Sequence, residues 1–214
     1  RATTDFSVGF IHGLPLLFRN PQAWGRAFKL QMQAFVRPEI RARYITQNND
    51  VIADLINDGM LLSSSEFTES LRAGGYLAKV LRPLPPVPKV YGAFQTSFDT
   101  FLDVGRIEMG KALRPIALRE GKTVEAAAFI NKLLGGISTE AMGVGITQRQ
   151  IESAFMFFSP RYLRATTALF MDMFRGGLSG REARRTIGMM FGSISAAYYG
   201  AALALGQEPN FDPS

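Results

Sequence analysis

Residues 187–206, "IGMMFGSISAAYYGAALALG", form a run of 20 residues without a charge, separated only by Thr186 from the basic stretch "REARR". Such a run contains no proline and reads as a helix, and at about 1.5 Å per residue it extends roughly 30 Å, the hydrocarbon thickness of a bilayer. It either fills a protein interior or crosses a membrane. The apolar residues Ile187, Phe191, Ile194, Leu203 and Leu205 favour insertion by only about 2 to 3 kcal/mol, and the glycines, serines and tyrosines among them offset much of that. Gly188, Gly192, Ala196, Gly200 and Ala204 recur at a spacing of four and make a slowly winding stripe of small residues. A stripe of this kind lets two helix backbones approach closely. The expectation is a bundle helix packed along the stripe against another helix, in this chain or in a neighbouring copy. Leucine at Gly192 or Ala196 is then expected to cost about 1 to 3 kcal/mol.

The remaining sequence carries helix signals and no useful stretch of alternating polarity. Asn20 and Pro21 open a helix to about Phe35, with Trp24, Phe28, Met32 and Phe35 on its apolar face. Two short helices follow, the first opened by Pro38 and the second closed by Gly59. Serines 63 to 65, Gly74, Gly75 and the prolines between 83 and 88 predict an extended connector. A long helix then places Tyr91, Phe94, Phe98, Phe101, Leu102 and Ile107 inward. Later helices start near Thr123, Thr147 and Ser179, the last two with the capping-box partners Gln150 and Glu182. The chain thus reads as all-α, a multi-helix elongated bundle with a proline-rich connector. Residues 1–82 form an N-terminal helical part, 83–88 the connector, 89–208 a C-terminal helical part and 209–214 a tail. Trp24, Phe28, Phe94, Phe98, Phe155 and Phe158 are expected to be buried. Because the first residue is Arg1, the whole reads as a piece of a longer polypeptide.

Chemistry is hard to find. The absence of cysteine excludes disulfides and thiolate sites, and the single histidine, His12, reads as a packed or capping residue. Asp99, Asp103 and Glu108 have helical spacing, which is expected of a solvated helix face more than of a paired-carboxylate site. Ser159 has no base beside it to make it a nucleophile. No catalytic, cofactor-binding or metal-binding residue is expected, and no small-molecule substrate.

The net charge is +6, and arginine outnumbers lysine 18 to 6. Arg19, Arg26 and Lys29 belong to one basic concentration; Arg161, Arg164, Arg181, Arg184 and Arg185 belong to another. Both are interleaved with aromatic residues, so anionic contacts to nucleic acid or lipid stand beside ordinary solvated faces as readings of these positions.

At "FFSPR" the sequence resembles a known family. The opening "DFS…GLPL…RNPQAW…AF", the middle "YGAFQTSFDTFLDVGRIEM", then "AAAFIN" and "FFSPR" occur in order, as in the helical domain associated with the large polyvalent proteins of phages and mobile elements. The resemblance implies a non-enzymatic structural module of an internal or ejected virion protein. Its partners would be further copies or other virion components during DNA delivery. In such a protein the uncharged run 187–206 would pass from a protein interior into a membrane bilayer after ejection, with Arg181, Arg184 and Arg185 at the anionic headgroups. The module's place would be the virion interior, then the host envelope or cytoplasm. The alternative is a nucleic-acid-binding or accessory helical region of a larger virion-packaged enzyme.

Overall fold

A computed structural model describes residues 13–62, 88–135 and 160–209. Among them 84% are helical and none is in a strand, so the all-α expectation holds. The helices are α1 (Leu14–Arg19), α2 (Pro21–Val36), α3 (Glu39–Gln47), α4 (Asn49–Asn57), α5 (Pro88–Glu120), α6 (Thr123–Leu133), α7 (Pro160–Asp172) and α8 (Gly177–Ala204).

The long helix α5 is the centre of the fold, with α2, α3, α4 and α6 packed around it. From residue 99 to residue 107 every position is buried, whatever its polarity. A helix enclosed on all sides has no solvated face, so the expectation for Asp99 and Asp103 is corrected. Asp103 accepts hydrogen bonds from Arg41 at 2.6 and 2.9 Å, and Asp99 accepts one from Gln95 at 3.1 Å. Buried Arg106 donates to the Leu61 carbonyl at 3.1 Å. Charges inside a core persist when they are paired or hydrogen-bonded, as Asp103 is by Arg41.

The α2 face against the core is also not the one the large residues predict. Ala23, Ala27, Gln31 and Ala34 are buried, whereas Trp24, Phe28 and Phe35 are half-buried and Met32 is exposed. Alanines on the centre line allow α2 to lie close to α5, and the aromatics close the sides of the contact. Trp24 stacks on Phe28 with ring centroids 5.0 Å apart, and Phe35 meets Phe94 of α5 at 4.8 Å. Phe94 and Phe98 are half-buried too, while Phe155 and Phe158 lie outside the described residues. Aromatic periodicity located the seam but exchanged its centre and its flanks.

One hydrophobic core unites residues from both sides of the connector, including Leu16 and Leu55 on one side and Phe101, Phe129, Leu133 and Leu178 on the other. Residues 83–87 lie outside the described residues, and Pro88 already opens α5.

Several helix ends follow the sequence. Asn20 Oδ1 accepts the Ala23 N–H at 3.1 Å, with Pro21 in the first turn. Asn20→Ala is expected to lower stability by about 1 kcal/mol, measured by urea unfolding. Gly59 takes φ +100° after α4, while the Met60 N–H bonds the Leu55 carbonyl at 2.8 Å. The left-handed turn suits glycine and satisfies a terminal carbonyl.

The start of α8 departs from the capping-box expectation. Ser179 donates to Asp172 at 2.7 Å and Glu182 is committed to Arg19, so neither caps the helix. Glu125 of α6 instead accepts the Leu178 N–H at 2.8 Å, which places a carboxylate at the positive end of α8. The box at Thr147 and Gln150 falls outside the described residues.

Candidate functional site

Helix α8 is divided by its surroundings. Its first part, with Leu178, Gly180, Glu182, Ala183, Thr186 and Ile187 buried, packs against α1, α6 and α7. From Gly188 to the end, Ala202 is the one buried residue. Phe191 is 56% exposed, Leu203 70% and Leu205 74%. The root is therefore part of the core and the distal half is uncovered.

The root is fixed by ionic contacts from three helices. Arg19 of α1 bonds Glu182 through its Nε at 2.6 Å, with the two side chains only 9% and 5% exposed. Lys132 of α6 meets Asp172 at the end of α7 at 2.5 Å, and the same carboxylate oxygen accepts from Ser179. Arg184 donates to the Met173 and Arg175 carbonyls at 2.7 and 3.0 Å, closing the turn between α7 and α8. These bonds set the direction in which the distal half leaves the body.

The stripe of Gly188, Gly192, Ala196, Gly200 and Ala204 lies wholly in the exposed half. A methyl group added to Gly188, Gly192 or Gly200 would meet nothing within 4 Å. The stripe thus has no helix against it within the described chain, and the expected cost of a large residue does not arise there. Gly192→Leu in the isolated chain is expected to leave unfolding stability unchanged, or to raise it by up to about 1 kcal/mol through helix propensity. Denaturant titration checks this.

The basic residues singled out by sequence are not brought together as one patch. Arg19 is buried against Glu182, Arg26 reaches Glu108 at 2.5 Å, and Arg181 reaches Glu120 at 2.6 Å. Lys29 and Arg185 are exposed, and Arg164 is half-buried on α7. Arg161 belongs to the first turn of α7. Much of the positive charge counted along the sequence is neutralised within the fold. Sequence position could not show this, because the acidic partners lie 61 to 163 residues away.

A second polar cluster stands at the α2, α3 and α5 junction. Glu108 accepts hydrogen bonds from Tyr44 at 2.5 Å, Lys111 at 2.8 Å and Arg26 at 2.5 Å. A shallow surface hollow beside it is lined by Asn20, Gln22, Arg26, Glu108 and Lys111. Burial alone would raise the carboxyl pKa, but the bonds from Lys111 and Tyr44 and the charges of Lys111 and Arg26 outweigh it and hold Glu108 below its ordinary value. The Tyr44 hydroxyl is pushed well above its ordinary value, first by burial and then by the hydrogen bond and charge of Glu108.

These directions define two pH limbs. The Glu108 contribution is present above the ordinary carboxyl value of 4.5 and is lost as pH falls below it. The Tyr44 contribution is present below the ordinary value of 10.0 and is lost as pH rises above it, because the unfolded chain ionises first. Tyr44→Phe is expected to remove this alkaline limb and to cost about 1 to 2 kcal/mol at neutral pH, measured as unfolding stability against pH.

The cluster holds no nucleophile with a base, and its carboxylate is fully engaged. Among the described residues no group of three or more His, Cys, Asp or Glu side chains could hold a metal ion. His12 and Ser159 lie outside them. A scan against protein-family models, a search of curated proteins and a search of solved structures each found no match to this chain. The uncovered half of α8 is the feature that packing within the described chain leaves unexplained.

Proposed function

We propose that this chain is a non-enzymatic helical structural module of an internal or ejected phage virion protein, which assembles with copies of itself or with other virion components during DNA delivery. The ordered motifs from Asp5 to "FFSPR" supply the virion context. The observation that carries the structural role is the contrast within α8, whose root is ion-paired into the body while its distal half is apolar and uncovered. A large exposed apolar surface on a well-packed body marks a part that another surface completes. The body supplies a fixed mount and the distal helix supplies the contact.

The nucleic-acid alternative has less support, since Arg19, Arg26 and Arg181 already face acids within the fold. Retention on DNA at low salt that weakens steeply as salt rises would favour it. The structural reading is tested by mass spectrometry of purified virions. Peptides of this polypeptide are expected at constant stoichiometry to the capsid protein, and their absence would reject the virion assignment.

A further inference from the structure

We propose that the distal half of α8 inserts into an anionic lipid bilayer, with Arg184 and Arg185 at the headgroups. The proposal names the partner of the same uncovered helix on which the structural role rests, and it does not depend on the virion assignment.

Residues 186–207 are uncharged, between Arg185 and Glu208. The uncovered helical part, residues 188–204, extends roughly 26 Å, close to a hydrocarbon core of about 30 Å, and the uncharged residues 205–207 continue it toward Glu208. α8 is long and apolar enough to cross a membrane, and only 11% of its most apolar 18-residue window is buried. A core helix of the same composition would be mostly covered.

The exposure also encircles the helix. At 100° per residue, Phe191, Ile194, Tyr198 and Leu205 gather on one side, while Gly192, Ala196 and Gly200 lie across from them, and both sides are exposed. A second copy seated on one face would leave the other in water. Ser195, Tyr198 and Tyr199 share an arc of about 100°, but Phe191 stands among them and Met189, Ile194 and Leu203 occupy the other sides, so no continuous wet face forms, unlike a helix that lies in the interface plane. A bilayer covers every side at once.

Both ends suit that environment. Arg185 is exposed where the apolar span begins, and Arg184 is held beside it by the Met173 and Arg175 carbonyls of the α7–α8 turn. Two guanidinium groups at this level meet anionic headgroups. At the far end the N–H groups of Leu205, Gly206 and Gln207 bond carbonyls of residues 201 to 203, the Gln207 bond to Ala202 being 2.8 Å. Terminal carbonyls closed by the chain itself lower the cost of entering lipid.

The absence of cysteine permits a direct test. Ser193→Cys, in the span, and Gln47→Cys, on the exposed surface of α3, are each labelled in the full 214-residue chain with a polarity-sensitive dye. Vesicles contain equal phosphatidylcholine and phosphatidylglycerol. The dye at 193 is expected to become apolar only when vesicles are added, the dye at 47 is expected not to change, and the chain is expected to float with the vesicles after an alkaline carbonate wash. Ala197→Asp, at mid-span, is expected to keep the helical circular dichroism and to lower vesicle partitioning about 100-fold.

Release by carbonate or high salt would reduce the interaction to surface adsorption and overturn insertion. A dye at 193 that is already apolar before lipid is added would mean that a second copy or another part of the chain covers the helix, and would overturn the proposal as well. Insertion by a chain that is absent from virions would leave this proposal standing and remove the virion assignment.

Discussion

Glu182→Ala is expected to destabilise the chain by about 3 to 5 kcal/mol, because it leaves the Arg19 guanidinium buried without its counter-charge. For a chain of this size that corresponds to a fall in Tm on the order of 10 °C. The pair joins α1 to α8 across 163 residues of sequence, so its loss also loosens the mount of the projecting helix. Attraction alone does not account for the cost, since desolvating both charges opposes much of it. The double replacement Arg19→Met with Glu182→Leu is therefore expected to recover most of the loss, as apolar groups of similar size fill the site without an unmatched charge. Thermal unfolding of the Glu182→Ala chain and the double variant checks this. Equal losses in the Glu182→Ala chain and the double variant would show that shape, rather than the stranded charge, sets the cost.

The second large effect is expected two residues earlier, at Gly180. A methyl group on Gly180 would lie 2.0 Å from the Arg175 carbonyl oxygen and 3.0 Å from that of Asp172. These atoms belong to the backbone leaving α7 and cannot rotate aside as a side-chain tip can. Gly180→Ala must move the α7–α8 turn, which also carries the Arg184 bonds and the Asp172 contacts to Lys132 and Ser179. A loss of about 3 kcal/mol is expected from urea unfolding, as for other overpacked sites. Gly188→Ala, two turns further on, is the control. Nothing stands within 4 Å of its added methyl, and a small gain of up to about 1 kcal/mol is expected from helix propensity. Near-equal effects at 180 and 188 would contradict the division of α8 into a packed root and an uncovered distal half.

The sequence by itself determined the helical class and many helix limits, because these depend on local chemistry. Asn20 caps its own helix, Gly59 turns the chain at positive φ, and the repeat of apolar residues selects helix over strand. It also placed an uncharged run after the arginines and identified the stripe from Gly188 to Ala204. The tertiary structure decided what surrounds each face. Alanines rather than aromatics took the centre of the α2–α5 contact, since close backbones leave room only for small side chains. Asp99 and Asp103 became interior groups because α5 is enclosed by four helices, and Arg19 was claimed by an acid that no local pattern connects with it. The cap of α8 came from Glu125, 53 residues earlier. The exposure of the distal α8 was settled by the same physics. Composition states how apolar a helix is, but whether protein covers it depends on where the rest of the chain has packed.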